Sequence, residues 1–159
     1  MNKSTKILAV GSSLVMMLTL AACGDDDDDS ASGDGGGGDS VNVVLSEWIV
    51  EPDPTTAAAG SVEFLASNEG GETHELVIVK GDDADALPID DTGKIQEDDL
   101  EEGTFIGEIE EFEAGTEASA TFDLDAGNYI LFCNIVEEED DGSFESHFLE
   151  GMVNTLTVS

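Results

Sequence analysis

Basic residues are nearly absent from this chain. Among 159 residues there are 38 acidic residues, four lysines and no arginine, which gives a formal net charge of −34 at pH 7. Proteins that bind nucleic acid neutralise phosphates with basic side chains, so a nucleic-acid partner is excluded. The acidic residues are spread along the whole chain instead of forming one patch. This pattern predicts a surface adapted to high salt, which screens the repulsion between like charges.

A long apolar run is also missing, although a short one opens the chain. Residues 7–22 are mostly apolar, follow Lys3 and Lys6, and are short for a membrane span. A positive flank, a short apolar stretch and small residues are typical of a secretory signal. Residues 20–24, Leu-Ala-Ala-Cys-Gly, resemble a bacterial lipobox, in which the cysteine (here Cys23) is lipidated and becomes the first residue of the mature protein.

Composition divides the chain into three parts. Residues 1–22 are the predicted signal peptide, and residues 23–40 are the predicted lipidated Cys23 followed by an acidic Gly/Ser/Asp linker. This linker has almost no apolar surface to bury, so we expect it to be flexible. Residues 41–159 form the predicted folded domain. We therefore expect an exported domain that Cys23 anchors to the membrane through its lipid, on the periplasmic or cell-surface side.

Residues 41–159 have the pattern of an all-β sandwich. Short apolar or alternating runs are separated by glycine, proline or Asx turns, and no long stretch keeps a helical period. Residues 81–103 interrupt this pattern as an acidic insert, with a short helix predicted around residues 96–102. The seven predicted strands are 41–50, 61–67, 72–79, 104–112, 117–124, 128–135 and 152–158.

Soft metal ligands are scarce enough to be assigned one by one. With Cys23 lipidated, Cys133 is the only thiol of an exported domain, where an unpaired cysteine is unusual. A buried, inert cysteine is the simple alternative. The same domain, however, has just two histidines, His74 and His147, and one methionine, Met152. Two imidazoles, one thiolate and a weakly bound methionine are the ligand set of a blue copper site.

The residues around these candidate ligands resemble those of a known family. A tyrosine stands four positions before Cys133, and Met152 follows His147 by five positions. With these patterns, residues 41–79 and 104–159 resemble the cupredoxins, particularly the plastocyanin-like branch. The resemblance implies a Greek-key β-sandwich of about seven strands that carries one type 1 copper. It assigns the copper ligands to His74, Cys133, His147 and Met152.

One spacing departs from the family pattern. Thirteen residues lie between Cys133 and His147, many more than is usual in cupredoxins. Residues 137–146 are acidic and contain their own turn signal, so we expect them to loop out and return His147 to the metal. In the alternative, the loop does not return, and carboxylates such as Glu145 approach the metal and make a harder site.

These features favour a copper protein that carries single electrons and is not an enzyme. Its expected partners are a copper ion, a redox protein and the membrane that holds its lipid. The exposed edge of His147 is the predicted exit for the electron, beside an apolar patch of Phe148 and Leu149. Two alternatives use the same domain: an envelope module that binds or delivers copper without fast electron transfer, and a metal-free structural domain.

Overall fold

The computed structural model describes residues 38–159, a β-rich unit with one short helix. The predicted signal peptide, Cys23 and the linker up to residue 37 lie outside the described residues. No helix within residues 38–159 is long and apolar enough to cross a membrane. In chain order the elements are β1 (Asp39–Ser46), β2 (Ile49–Asp53), β3 (Thr56–Ala57), β4 (Gly60–Asn68), β5 (His74–Lys80), β6 (Phe105–Phe112), β7 (Glu117–Leu124), β8 (Gly127–Phe132), β9 (Val136–Glu138), β10 (Phe144–Ser146), α1 (His147–Glu150) and β11 (Val153–Val158).

The first sheet has the strand order β2-β1-β4-β7. Strands β1 and β4 pair in parallel, whereas β2 and β7 pair antiparallel with their neighbours. Along β1, Val41, Val43 and Leu45 are completely buried while Asn42 between them is exposed. Successive side chains of a strand point to opposite faces, so one face of this sheet packs on the core and the other meets solvent.

The second sheet has the strand order β3-β11-β8-β5-β6, and its two central strands are buried on both faces. One face of β5 and β8 packs on the core shared with the first sheet. The other face packs under the acidic insert of residues 81–103, whose Ile95 is 1% exposed. This double burial explains why Leu76 to Val79 form a continuous apolar run instead of an alternating one.

The structure confirms the predicted all-β class, but the bounds of individual strands differ from the prediction. The first predicted strand, 41–50, is the hairpin of β1 and β2, with its turn at Glu47 and Trp48. Trp48 has a φ of 65°, a conformation that a tight hairpin turn favours and that a bulky side chain rarely adopts. No glycine, asparagine or aspartate marks this turn, so local sequence contains no signal for it. The helix predicted around residues 96–102 is a single 3-10 turn, Glu97–Asp99.

The long segment after Cys133 folds back on itself. Strands β9 and β10 form an antiparallel hairpin in which Ser146 lies opposite Val136. Its turn is fixed by Asp141, whose side chain accepts hydrogen bonds from the backbone N–H and hydroxyl of Ser143. The expectation that residues 137–146 loop out and return is therefore confirmed, and His147 follows directly after the returning strand.

Candidate metal centre

His74 is the first residue of β5, at one end of the second sheet. Its position is set by Asn68, whose amide donates hydrogen bonds to the carbonyl of Glu72 at 2.8 Å and to that of Phe112 at 3.2 Å. Asn68 thereby joins the approach to β5 to the end of β6, where Phe112 lies opposite His74. The imidazole of His74 is completely buried.

Cys133 directly follows β8 and lies at the same end of the sheet. Because β5 and β8 are antiparallel, with Val77 opposite Phe132, the first residue of one strand lies near the last residue of the other. The N–H of Cys133 donates to the carbonyl of Met152 at 3.1 Å. Its Sγ accepts a hydrogen bond from the N–H of Glu75 at 3.5 Å. Cys133 is therefore held at its backbone by Met152 and at its sulfur by Glu75.

His147 is the first residue of α1, and backbone hydrogen bonds fix both of its sides. Its N–H donates to the carbonyl of Ile135 at 3.0 Å, and its carbonyl accepts from the N–H of Met152 at 2.9 Å. The preceding residue, Ser146, caps the helix and donates its hydroxyl hydrogen to the carbonyl of Gly93 at 2.7 Å. The acidic insert therefore helps to position His147.

The three side chains meet at one point. Nδ1 of His74 lies 3.2 Å from Nδ1 of His147, and Sγ of Cys133 lies 3.4 Å from the same Nδ1 of His147. All three ligand atoms lie within 4.8 Å of one another. Metal bonds in such sites are about 2.0–2.1 Å to imidazole nitrogen and about 2.3 Å to thiolate sulfur. One ion between the three atoms can therefore reach all of them.

Met152 completes the predicted ligand set. It is completely buried and belongs to the same apolar cluster as Cys133. Its backbone accepts from the N–H of Cys133 and donates to the carbonyl of His147, so it joins the two ligand segments directly. Two imidazoles, a thiol and a neighbouring thioether are the donors that copper prefers, and this arrangement fits a copper site.

Burial favours the uncharged forms of Cys133 and His74. It raises the pKa of the Cys133 thiol to about 12, against the N–H of Glu75, which lowers it. Burial also lowers the pKa of His74, and the neighbouring His147 lowers it further. A neutral imidazole is ready to bind a metal, whereas the thiol must release its proton to the solvent as the metal binds.

Glu75 has the most unusual carboxyl group near the site. Burial, together with the negative charge of Glu108, raises its pKa to about 7. The N–H of Asn134 donates to Oε1 of Glu75 at 3.1 Å and opposes this rise. Glu75 thus contacts two consecutive residues: its N–H donates to Sγ of Cys133, and its carboxyl accepts from the N–H of Asn134.

The prediction that His147 has an exposed edge is wrong, because the ring is completely buried. Trp48 lies edge-on to it, with ring centroids 5.6 Å apart. The apolar patch beside it is also only half present. Leu149 is 63% exposed, whereas Phe148 packs edge-on against Phe132 at 5.5 Å. Trp48 was not among the predicted site residues, because its place at the site depends on the unmarked turn between β1 and β2.

Two carboxylates lie on the remaining side of His147. Oε2 of Glu72 is 3.7 Å from Nε2 of His147, and Glu145 of β10 belongs to the same group of atoms within 4.8 Å. Glu145 was expected near the metal only if the loop failed to return, yet it lies near His147 although the loop does return. Glu72 was missed, since nothing in the sequence distinguishes it from the other acidic residues.

Comparison with known proteins identifies the fold. No protein-family model and no curated protein matches the chain. Solved structures do match. The reduced auracyanin of the photosynthetic bacterium Roseiflexus castenholzii superposes with a TM-score of 0.55 at 20% identity, over 76% of this chain and 96% of that one. Auracyanin B gives 0.50 at 25% identity, over 76% and 88% of the two chains. Auracyanin A, a blue copper protein of Chloroflexus aurantiacus, gives 0.50 at 20% identity, over 76% and 99%.

The chain has the cupredoxin fold. Within this cupredoxin fold, the candidate ligands all lie at one end of the second sheet. His74 begins β5, Cys133 follows β8, His147 begins α1, and Met152 lies between α1 and β11. The cupredoxin prediction is therefore confirmed for the fold. His74, Cys133 and His147 stand where one metal ion can be shared, and Met152 is buried in the same apolar cluster as Cys133.

Proposed function

We propose that this protein binds one type 1 copper and carries single electrons outside the cytoplasm. In this proposal His74, Cys133 and His147 hold the copper, and Met152 makes a weak axial contact. The observation that carries the proposal is the convergence of two imidazole nitrogens and one sulfur within 4.8 Å. The likeness in fold to auracyanin A, which is a blue copper protein, agrees with it.

Copper at this site would supply a centre that alternates between Cu(I) and Cu(II). The chain's own residues would keep the geometry unchanged during that alternation. The N–H of Glu75 is directed at the sulfur, and backbone hydrogen bonds join Cys133, Met152 and His147. Since the three ligand side chains are completely buried, bulk water and substrates are kept away from the metal. These features favour electron transfer over enzymatic catalysis.

The first experiment is a visible absorption spectrum of the full chain in high salt after addition of Cu(II). The parent carries Cys23→Ser, so that Cys133 is the only thiol. An intense thiolate-to-copper band is expected, and it should disappear when Cys133→Ser is added. Both substitutions replace a cysteine by serine. A band that is present with Cys23→Ser alone and lost when Cys133→Ser is added therefore shows that the sulfur of Cys133 binds the copper. A parent without an intense band would overturn the type 1 copper proposal.

A second candidate function is copper binding or delivery without fast electron transfer. The burial of His147 favours it, because this ring has no exposed edge through which a partner can approach the copper. Voltammetry of the copper-loaded parent separates the two candidates. A reversible couple with rapid electron self-exchange supports the carrier. A slow or irreversible couple, together with tight Cu(I) binding, supports delivery.

The proposed anchor is a lipid on Cys23, which would hold the domain on the outer side of the membrane from which it was exported. Metabolic labelling of the producing cells with a radioactive fatty acid tests it. The wild-type protein should carry label and sediment with membranes, and Cys23→Ser should lose both properties. An unlabelled wild-type protein would contradict the proposed anchor without affecting the copper site.

A further inference from the structure

A second group of potential ligands surrounds the other nitrogen of His147. Nε2 of His147 points away from Cys133 and lies 3.7 Å from Oε2 of Glu72. Both atoms are buried, and neither has a hydrogen-bond partner within residues 38–159. Glu145 belongs to the same group, in which each of the three residues offers one ligand atom within 4.8 Å of the other two. Buried polar atoms without partners are rare in folded proteins and call for an explanation.

The separation of these two atoms fits a shared cation better than a hydrogen bond. A distance of 3.7 Å is too long for a hydrogen bond from Nε2 to Oε2. It is shorter than the roughly 4.1 Å spanned by two metal bonds of about 2.0–2.1 Å placed end to end. One ion can therefore contact both atoms. No lysine can take this role, since the pair of Glu72 and His147 is the only acid–base pair within 4.0 Å among the described residues.

The three residues come from separate segments that the fold brings together. Glu72 precedes β5, Glu145 lies in β10, and His147 begins α1. Glu72 and Glu145 are partly buried, and His147 is completely buried. This group is more than an acidic surface patch, because an unpartnered imidazole nitrogen is directed into it.

We propose that Glu72, Glu145 and Nε2 of His147 form a second site, for a divalent cation of borderline hardness such as Zn²⁺. Two carboxylates and one imidazole are suitable donors for such an ion. The ring of His147 would then lie between two sites, with Nδ1 facing Cys133 and His74 and Nε2 facing the carboxylates. This site uses none of the donor atoms proposed for copper.

The shared ring would couple the two sites. With copper on Nδ1, the hydrogen on Nε2 must leave to the solvent as the second cation binds. Replacing H⁺ by a divalent cation adds one positive charge beside the copper, which favours the copper state of lower charge, Cu(I). By linkage, reduction of the copper would tighten cation binding by the same factor. This coupling rests on the proposed copper function, whereas the second site itself does not.

Calorimetric titration with Zn²⁺ alone tests the site without copper. The parent is the full chain with Cys23→Ser and Cys133→Ser, which removes both thiols, in about 1 M salt to screen diffuse attraction. We expect one saturable site that Glu72→Gln and Glu145→Gln each weaken by more than about tenfold, the scale on which even supporting residues of a metal site act. His74→Gln should weaken this affinity less than either glutamate substitution, since His74 supplies no ligand to the second site.

The controls identify what would overturn the proposal. Glu138→Gln, an exposed position on β9, matches Glu145→Gln in charge. The proposal fails if Glu138→Gln weakens Zn²⁺ binding as much as Glu145→Gln does, because binding is then diffuse. It also fails if His74→Gln abolishes the site, because Zn²⁺ then occupies the copper position. Circular dichroism of each variant checks the fold, and Glu145→Gln alone decides the question if Glu72→Gln does not fold.

A copper-loaded protein that retains Cys133 tests the coupling. Zn²⁺ should raise the midpoint potential of the parent and leave that of Glu145→Gln unchanged. An unchanged potential at a Zn²⁺ concentration that saturates the second site would refute the coupling. A parent that takes up no copper would contradict the proposed function and leave the Zn²⁺ titration intact.

Discussion

Replacing Glu75 with glutamine should make the fold more stable at neutral pH. Glu75 is partly buried beside other acidic residues, and this environment raises its pKa from 4.5 to about 7. Between these two values the folded protein keeps a proton that the unfolded chain has released. Raising the pH through this window therefore lowers the free energy of unfolding. At 1.36 kcal/mol per pKa unit, the loss from this one group approaches about 3 kcal/mol above pH 7.

Glutamine removes this loss while keeping the local hydrogen bond, since its amide oxygen can still accept from the N–H of Asn134. Denaturant unfolding of the metal-free protein, at constant high salt from pH 4 to 8, measures the effect. Glu75→Gln and the wild type should have similar stability near pH 4, and the variant should gain up to about 3 kcal/mol by pH 8. Glu63→Gln, an exposed position on β4, controls for the loss of one charge. A stability difference that does not change with pH would refute the reasoning.

Three further changes test the packing around the site. Asn134→Ala should lower the free energy of unfolding by about 2–4 kcal/mol in denaturant unfolding. The side-chain amide of Asn134 accepts a hydrogen bond from the N–H of buried Ile95 and donates one to its carbonyl, and the substitution leaves both groups without a partner. A loss below about 0.5 kcal/mol would contradict this role. Gly93→Ala should lower both the melting temperature and the copper affinity. Gly93 has a φ of +92°, and the new Cβ would lie 2.6 Å from Cβ of Ser146, the residue before α1. Unchanged copper binding would show that the position of α1 does not depend on this contact. Leu76→Ala should cost about 2–5 kcal/mol, whereas Leu149→Ala at the surface should cost about 0.5 kcal/mol or less; equal costs would contradict the described core.

Scarcity and periodicity made much of the structure predictable. The apolar run that begins at Val41 indicated a strand, and the structure has β1 (Asp39–Ser46) there. The candidate ligands could be named because the folded domain has one thiol and two histidines, so few combinations exist. The structure brings Cys133 and both histidines together.

What could not be predicted depends on contacts between distant segments. Trp48 reaches His147 through an unmarked hairpin turn, and Glu72 reaches it from the loop before β5. The insert of residues 81–103 covers the outer face of β5 and β8, which local pattern alone does not show. Such placements follow from tertiary packing, in which a residue's neighbours are not its neighbours in sequence.

The edge strands of the two sheets have a consequence for solubility. An unpaired strand can add a strand from another molecule, and charge, irregularity and proline are the usual safeguards. Three of the four edge strands have such a safeguard. In the second sheet, β6 pairs irregularly and β3 is only two residues long. In the first sheet, β2 contains Pro52. The remaining edge strand, β7, pairs regularly with β4 along eight residues. It is protected by charge, since it carries exposed acidic residues such as Glu117 and Asp123. High salt relieves charge repulsion within the domain, and by the same screening it weakens the protection of β7 against self-association.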